Sequence, residues 1–354
     1  MKPTVFIHTN HKQYIGALVS MHSMRRNSKN SDKFDVKLIE YKDHKDLFSK
    51  YEGRTYSSDG DSRTWDPEDL QSFTPLRFMP PELMNYEGRA VVVDPDVFAV
   101  QDVWELLSRD MQGKAVMCRQ RGTPPHYASS VMLLDCAKLK HWKLADDFDK
   151  LFTREREYKK WMNIGYQDPA TIGLFEPEWN DFDKLTSKTK MIHNTRRKTQ
   201  PWKAGLPVDF IPAENTLMSP LMILMRLRRK LFGEYAFLGT YKSHPDQRQE
   251  QFFFSLVKEA MESGLITEKL LKEHMDANHV RHDAFEVVKR TPPDSATTFV
   301  KRMVVAWASV RCSNAPDKTM KVSKRTTSKA RKLIGKLVNE AVRWCEDRIP
   351  SLLR

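Results

Sequence analysis

The chain has 354 residues, a mass of 41.4 kDa and an apolar content of 40%, which suffices for a sizeable core and for two globular domains. Its longest apolar runs are about six residues, far below the roughly 20 that cross a bilayer, so we expect no membrane-spanning helix. The formal net charge is +13, and residues 211–354 carry 26 basic against 16 acidic residues. Such a surface attracts anionic lipid, nucleic acid or an acidic glycan without choosing among them.

The cysteines and the N-terminus indicate where the protein works. The four cysteines show no spacing typical of disulfide pairs or of metal ligands; they are Cys118, Cys136, Cys312 and Cys345. The N-terminus lacks the long apolar core of a signal peptide. We therefore expect a cytoplasmic protein, with peripheral contact at the inner face of a membrane as one use of its basic surface.

The first 64 residues predict the beginning of a parallel sheet. A buried strand over residues 3–10 is followed by a helix over Tyr14–Arg26 and a second strand over Phe34–Glu40. This order is typical of parallel α/β sheets, in which ligands sit beyond the carboxyl ends of the strands. The polar end of the first strand consists of His8, Thr9 and Asn10. The polar segment Tyr51–Thr64 predicts a mobile loop, with a lid role as a hypothesis.

The middle of the chain predicts more strands, and the last part predicts mainly helices. A helical segment over Phe73–Met84, interrupted at Pro80 and Pro81, precedes a strand over Ala90–Val93. Further elements are predicted at Asp102–Leu107 (helix), Lys114–Cys118 and Ser130–Leu134 (strands), Ala137–Phe152 (helices) and Lys190–His193 (strand). The composition changes after Pro207. We expect a domain boundary near residue 210, with a first domain over residues 1–210 and a basic helical region over residues 211–354.

The triplet Asp94-Pro95-Asp96 follows the apolar run Val91–Val93 directly. Residues i and i+2 of an extended segment point the same way, so both carboxylates can reach one hard cation. A cation held by few protein ligands fills its open positions with phosphate oxygens of a substrate. The triplet therefore predicts a nucleotide-diphosphate site, although solvated turn acids are the alternative interpretation.

Taken in order, these segments resemble a family 8-like glycosyltransferase of the GT-A fold over about residues 3–207. The resemblance depends on a series of motifs in one order after the first strand: Leu76-Arg77-Phe78, Asp94-Pro95-Asp96, the strand at 128–134, Asp168, and His193 followed by Pro201-Trp202. It implies an α/β fold with a mixed, mostly parallel sheet flanked by helices, plus a helical C-terminal region. Residues 1–210 would then be the nucleotide-sugar-binding catalytic domain.

The same resemblance implies a metal site. Asp94, Asp96 and His193 would be the ligands of Mn²⁺, or of Mg²⁺, and an imidazole beside two carboxylates suits manganese better. Arg77 matches an arginine near the donor sugar, and Asp168 an acidic residue near the reacting sugar.

Two more groups of residues follow from the resemblance. Nucleobase and ribose contacts fall on His8, Thr9, Asn10 and Tyr14. The family glycine three residues after the histidine is absent here. We therefore expect a side chain to give positive charge to the diphosphate, the candidates being Arg196, Arg197 and Lys198.

Each of these residues also has an ordinary structural interpretation. His193 could be an interior histidine, Asp168 could cap the turn before Pro169, and Arg77 could pair with a carboxylate of the fold. The basic run 196–198 could be a solvated loop.

The function implied by the resemblance is transfer of a hexose from a nucleoside-diphosphate sugar, expected to be a uridine-diphosphate sugar, to a hydroxyl of a glycan or lipid-linked acceptor. Anomeric configuration would be retained. One alternative is a sugar-nucleotide nucleotidyltransferase, although its usual glycine-rich N-terminal loop is missing. The other is a noncatalytic nucleotide- or glycan-binding protein of the same fold.

The C-terminal region offers two hypotheses about partners. Leu217–Phe232 combines apolar bulk with a cationic cluster, as a membrane-surface helix does, although core packing is the simpler use. Lys318–Lys336 is basic, but it lacks interleaved aromatic residues, so nucleic acid is disfavoured. A last helix is predicted from Ala330 to Cys345, with its apolar residues on one face.

Overall fold

The computed structural model describes residues 1–122, 126–209 and 239–292. The predicted surface helix at 217–232, the basic run at 318–336, the last predicted helix, and Cys312 and Cys345 lie outside these residues. Within the described ranges, no helix combines the length and the apolar character needed to cross a membrane. Cys118 and Cys136 are buried free thiols.

The described residues contain strands and α-helices joined by turns and short 3-10 helices. The strands are β1 (Thr4–Thr9), β2 (Asp35–Glu40), β3 (Thr55–Ser58), β4 (Asp61–Thr64), β5 (Arg89–Val93), β6 (Val97–Ala99), β7 (Val116–Gln120), β8 (Tyr127–Asp135), β9 (Ile172–Leu174), β10 (Asp181–Phe182) and β11 (Met191–His193). The helices are α1 (Tyr14–Arg26), α2 (Lys45–Ser49), α3 (Pro80–Leu83), α4 (Trp104–Leu107), α5 (Leu144–Phe152), α6 (Tyr158–Met162), α7 (Gln247–Glu262), α8 (Glu268–Asp276) and α9 (Ala284–Arg290).

The central sheet has the strand order β2-β1-β5-β8-β7-β9. β1 pairs in parallel with β2 and β5, β8 runs antiparallel to β5 and β7, and β9 is parallel to β7. Nearly every side chain of β1 and β5 is buried, and β-branched residues dominate both strands, as is typical of parallel strands covered on both faces. The predicted mixed, mostly parallel sheet flanked by helices is confirmed.

A second, smaller sheet brings distant parts of the chain together. Its order is β10-β11-β6, and β6 begins directly after Asp96. β11 pairs antiparallel with β6, so that His193 lies opposite Val97. The backbone N–H of Asn194 donates to the carbonyl oxygen of Asp96 at 3.1 Å. This pairing places the end of β11 beside the acidic triplet.

Helix α1 holds β6, the strand that follows the acidic triplet, through two serine side chains. Ser20 Oγ donates to the carbonyl oxygen of Val97 at 2.6 Å, and Ser23 Oγ accepts from the N–H of Ala99 at 2.8 Å. Both serines are fully buried, and their bonds satisfy backbone groups of β6 that would otherwise lack partners. Gly16 allows close approach, because a Cβ there would lie 3.0 Å from the carbonyl oxygen of Pro95.

Helix α7, within residues 239–292, packs against α1. One apolar cluster combines Ile15, Phe98 and Trp202 with Phe253 and other side chains of α7. Trp202 and Phe253 stack with ring centroids 4.8 Å apart. The domain boundary near residue 210 stays a prediction.

The segment predicted as a mobile loop at 51–64 is instead a β-hairpin. β3 and β4 pair antiparallel around Asp59 and Gly60, whose φ angles are 58° and 82°. Asp-Gly is a preferred sequence for the two-residue turn in which both residues have positive φ, and this signal was available in the sequence. Tyr56 of the hairpin is buried in the main core, which anchors it.

Candidate active site

A cavity of about 370 Å³ opens at the edge of the central sheet where β1, β5 and β7 end and β8 begins. The triplet Asp94-Pro95-Asp96 and His193 line its middle. The carboxyl ends of parallel strands are where α/β proteins bind ligands. The acidic pair therefore lies where the strand order predicts chemistry.

Asp94, Asp96 and His193 form a cluster suited to a cation. One ligand atom from each lies within 4.8 Å of the others, and His193 Nε2 is 3.3 Å from Asp96 Oδ1. Within the described ranges this is the only group of three or more His, Cys, Asp or Glu side chains with such spacing. Two carboxylates and an imidazole are a donor set that fits Mn²⁺.

The ring of His193 is held in one orientation. Its Nδ1 lies 2.9 Å from Asn180 Oδ1, while Asn180 Nδ2 donates to Ser130 Oγ at 2.9 Å and so fixes which end of the amide faces the ring. The amide oxygen can only accept, so Nδ1 carries the proton and the Nε2 lone pair faces the carboxylates. Burial alone lowers the pKa of His193, but Asp96 and Asp94 raise it above its usual value.

Asp94 is held ionised by a buried arginine. Arg77 Nη2 donates to both carboxylate oxygens, at 2.9 and 3.2 Å, and Arg77 Nη1 donates to Ser129 Oγ at 2.5 Å. Burial raises the pKa of Asp94, yet Arg77 and His8 together lower it to about 2. Arg77 therefore both lines the cavity and pairs with a carboxylate, as the structural interpretation of this residue predicted.

Asp96 is positioned by a residue that sequence reasoning missed. Gln200 Nε2 donates to Asp96 Oδ2 at 3.1 Å. Gln200 Oε1 is buried and has no hydrogen-bond partner among the described residues, although Gln200 lines the cavity. A buried acceptor without a partner is costly, and this one belongs to a residue that both holds Asp96 and lines the cavity.

The residues predicted to contact the nucleoside lie behind or beside the cavity wall. His8 is fully buried, with Nε2 3.1 Å from Asp94 Oδ1, and thus supports the acid pair. Thr9 donates to the carbonyl oxygen of Asn10, whose side chain accepts from two N–H groups of the next turn. Tyr14 stacks on His274, with ring centroids 5.8 Å apart. These four residues do not line the cavity, whereas Gln13 of the same segment does.

Of the three basic residues after β11, the structure brings one to the cavity. Arg197 lines it. Arg196 is exposed, its Nε lying 4.0 Å from Asp183 Oδ2, and Lys198 is also exposed. Lys203, after Pro201-Trp202, is fully buried, pairs with Asp209 at 2.7 Å and does not line the cavity.

Asp168 does not reach the cavity. It is exposed and caps the short 3-10 helix Pro169–Thr171, where its Oδ1 accepts from the N–H of Ala170 at 2.9 Å. The turn-capping interpretation describes this geometry, because Asp before Pro favours such a turn. Among the described residues that line the cavity, the carboxylates are Asp94 and Asp96 alone.

Asn180 and Gln200 had no distinguishing signal in the sequence. Asn180 follows Trp179 and Gln200 precedes Pro201, and the importance of both depends on partners far along the chain. Ser129 and Ser130 lay in a segment singled out by the resemblance, and both line the cavity.

No protein-family model matches the chain, and no curated protein matches it. Solved structures are similar to it: the apo bifunctional glycosyltransferase WbbM (14% identity, 57% of this chain and 47% of that one, TM-score 0.41), the galactosyltransferase LgtC in complex with donor and acceptor sugar analogues (9%, 56% and 89%, 0.40), and apo GlyE of Streptococcus pneumoniae TIGR4 (12%, 66% and 65%, 0.41). This chain thus spans less than two thirds of WbbM and of GlyE. At these values the similarities carry no functional assignment.

Proposed function

We propose that the protein is a metal-dependent glycosyltransferase that moves a hexose from a nucleoside-diphosphate sugar, with uridine diphosphate as the expected carrier, to a hydroxyl of a glycan or lipid-linked acceptor. The observation that carries the proposal is the cluster of Asp94, Asp96 and His193 in a cavity at the carboxyl ends of β1 and β5. Three protein ligands leave open positions on a divalent ion, and diphosphate oxygens are suited to fill them.

The place of the cluster in the sheet supports a nucleotide substrate. β1 pairs in parallel with β2 on one side and with β5 on the other, so the chain reverses its winding between β1 and β5. Open α/β sheets bind ligands in the crevice at such a switch point. Gln13 and the segment around Leu70 line this part of the cavity.

The residues of the chain would prepare the site in distinct ways. Arg77 keeps Asp94 ionised, Asn180 keeps the Nε2 lone pair of His193 toward the acids, and Gln200 holds Asp96. When bound, a divalent ion would neutralise charge on the leaving diphosphate, which is stabilisation where charge grows. Arg197 is placed to add positive charge at the same position.

The carboxylates of the cavity also bear on how configuration would be retained. With Asp94 and Asp96 engaged as ligands, no other carboxylate of the described lining residues could act as a nucleophile on the sugar. We therefore favour attack from the side of the leaving group. The acceptor oxygen bonds to the anomeric carbon as the bond to the diphosphate oxygen breaks. The diphosphate takes that electron pair and the proton of the acceptor hydroxyl.

The experiment is a donor assay with purified protein, Mn²⁺ and a panel of nucleotide sugars. Slow, Mn²⁺-dependent release of free nucleoside diphosphate supports the proposal. Exchange of pyrophosphate would instead indicate a nucleotidyltransferase, and donor binding without turnover would indicate a noncatalytic binding protein.

The matched variants are Asp96→Asn and, as a control, Asp146→Asn, an exposed carboxylate outside the cavity. Asp96→Asn should lower the release rate at least about a hundredfold, the size of effect expected when a charge-stabilising group is lost. Asp146→Asn should leave it unchanged. Full activity of Asp96→Asn would remove the metal role.

A further inference from the structure

The cavity has two ends that differ in chemistry. Gln13, Leu70 and Gln71 line the end near β1, whereas Arg121, Tyr127 and Phe182 line the opposite end. In the central sheet β1 lies on one side of β5, and β8 and β7 lie on the other. Because Asp94 and Asp96 follow β5, the cluster that they form with His193 lies between the two ends.

The switch point assigns the first end to the nucleotide, so the end beside β7 and β8 is left for the acceptor. Phe182 of β10 forms a wall there and meets the His193 ring at an angle of 70°, with ring centroids 5.5 Å apart. A group resting on Phe182 would therefore lie next to the metal cluster. Aromatic rings such as Phe182 and Tyr127 are suitable surfaces for the apolar face of a sugar.

Two arginines from the end of β7 surround this wall. The guanidinium carbon of Arg119 lies 4.1 Å from the centroid of Phe182, and that of Arg121 lies 5.9 Å from it. Arg119 already has a protein partner, because its Nη1 donates to the carbonyl oxygen of Asn180 at 2.5 Å. The nearby carboxylate of Asp181 also has a protein partner, because it accepts a hydrogen bond from Thr189 Oγ1 at 2.8 Å.

Arg121 differs from Arg119 in its surroundings. It is exposed and lines the cavity, and no carboxylate of the described residues lies within 4.0 Å of its side-chain nitrogens. Of the carboxylates in the cavity, Asp94 pairs with Arg77, and Asp96 faces His193 and Gln200. A guanidinium that lies over an aromatic ring keeps its planar fork of N–H donors free for a carboxylate or a phosphate.

We propose that the end of the cavity formed by Arg121, Tyr127 and Phe182 binds an acceptor sugar that carries an anionic group, and that Arg121 selects for this group. The assignment rests on the proposed glycosyltransferase function and specifies its acceptor class. Phosphate and carboxylate share the required chemistry. The anionic group accepts hydrogen bonds from the guanidinium while the sugar ring rests on the aromatic wall.

The test titrates three sugars of matched ring structure into protein loaded with Mn²⁺ and UDP, with binding followed by calorimetry. The probes are glucose, glucuronic acid and glucose 6-phosphate. One charge-assisted pair at a partly exposed site corresponds to about tenfold in affinity. We therefore expect one or both acidic sugars to bind about tenfold more tightly than glucose, and the better of the two identifies carboxylate or phosphate.

The variants separate Arg121 from general surface charge. Arg121→Gln should remove the preference for acidic sugars, and Arg121→Lys should keep part of it, because an ammonium supplies charge without the planar fork. Arg63→Gln, which removes an exposed arginine outside the cavity, should change nothing. Equal binding of all three sugars, no binding by any, or an unchanged preference in Arg121→Gln overturns the assignment.

The first step of the same experiment tests the proposed function separately. UDP is titrated with and without Mn²⁺ before any sugar is added. If neither UDP nor any other nucleoside diphosphate shows Mn²⁺-dependent binding, the glycosyltransferase proposal itself is overturned. Normal UDP binding with no preference among the sugars overturns only the acceptor assignment.

Discussion

Replacing Asn180 by alanine should weaken Mn²⁺ binding by about tenfold to a hundredfold, the usual effect of removing the hydrogen-bond partner of a metal-binding histidine. Asn180 is fully buried, and its Oδ1 lies 2.9 Å from His193 Nδ1. Without that acceptor, no hydrogen bond favours the tautomer of His193 with its proton on Nδ1. The tautomer with the proton on Nε2, which cannot bind a cation there, becomes accessible.

The magnitude follows from the contact that is lost. With Nε2 directed at Asp96, the Nδ1–H of the buried His193 ring would have no acceptor, and an unsatisfied buried donor costs about 1–3 kcal/mol. Since about 1.4 kcal/mol corresponds to a factor of ten, this cost covers the tenfold to hundredfold range. Asn180→Asp keeps an acceptor of the same shape and should bind Mn²⁺ within a few-fold of the unaltered protein at pH 8.

The assay is electron paramagnetic resonance of free Mn²⁺, which measures binding without requiring turnover. Asn163→Ala is the matched control, because Asn163 lines the same cavity and has no contact with His193 among the described hydrogen bonds. Thermal unfolding of each variant shows whether it remains folded. If folded Asn180→Ala binds Mn²⁺ as tightly as the unaltered protein, either the hydrogen bond does not orient His193 or the cluster does not hold the ion.

Two further predictions concern the elements that support the site. Gly16→Ala should weaken Mn²⁺ binding several-fold in the same titration, because the new Cβ would lie 3.0 Å from the carbonyl oxygen of Pro95 and would push on the acidic triplet; unchanged affinity would contradict this. Glu259 of α7 joins Arg26 and His22 of α1 at 2.5 and 3.0 Å. Burial raises the pKa of Glu259, but His22 and Arg26 lower it below the usual 4.5, so its contribution is present above that pH and is lost as pH falls. Glu259→Gln should lower the free energy of unfolding by about 1–3 kcal/mol at pH 7 in urea denaturation, with a smaller difference near pH 3.5, whereas an equal difference at both pH values would contradict the assignment.

Local patterns in the sequence determined the elements at the start of the sheet. Helix α1 has the predicted bounds Tyr14–Arg26, and β1, β2 and β5 occur where apolar and β-branched runs predict strands. These properties depend on neighbours along the chain, which the sequence displays directly. The hairpin at 55–64 belongs to the same class, because its turn depends on the adjacent residues Asp59 and Gly60.

The sequence predicted the candidate site only in part. The position of Asp94 and Asp96 at a strand end was readable from the residues, and the resemblance implied His193 as their companion. The structure shows that the antiparallel pairing of β11 with β6 brings His193 to the two aspartates. It also shows that Gln13 rather than Tyr14 lines the cavity, and that Asp168 caps a turn outside it.

The sequence by itself determined the strands, the first helix and the acidic triplet, because each depends on the spacing of residues within one segment. Only the tertiary structure decided which side chains meet around that triplet. Asn180, Gln200 and Arg121 come from three separate segments just outside the strands, and their contacts depend on how the neighbouring strands pair. Register is set by pairing between distant segments, and a shift of one residue in β11 would turn the His193 side chain to the other face of the strand, away from Asp96.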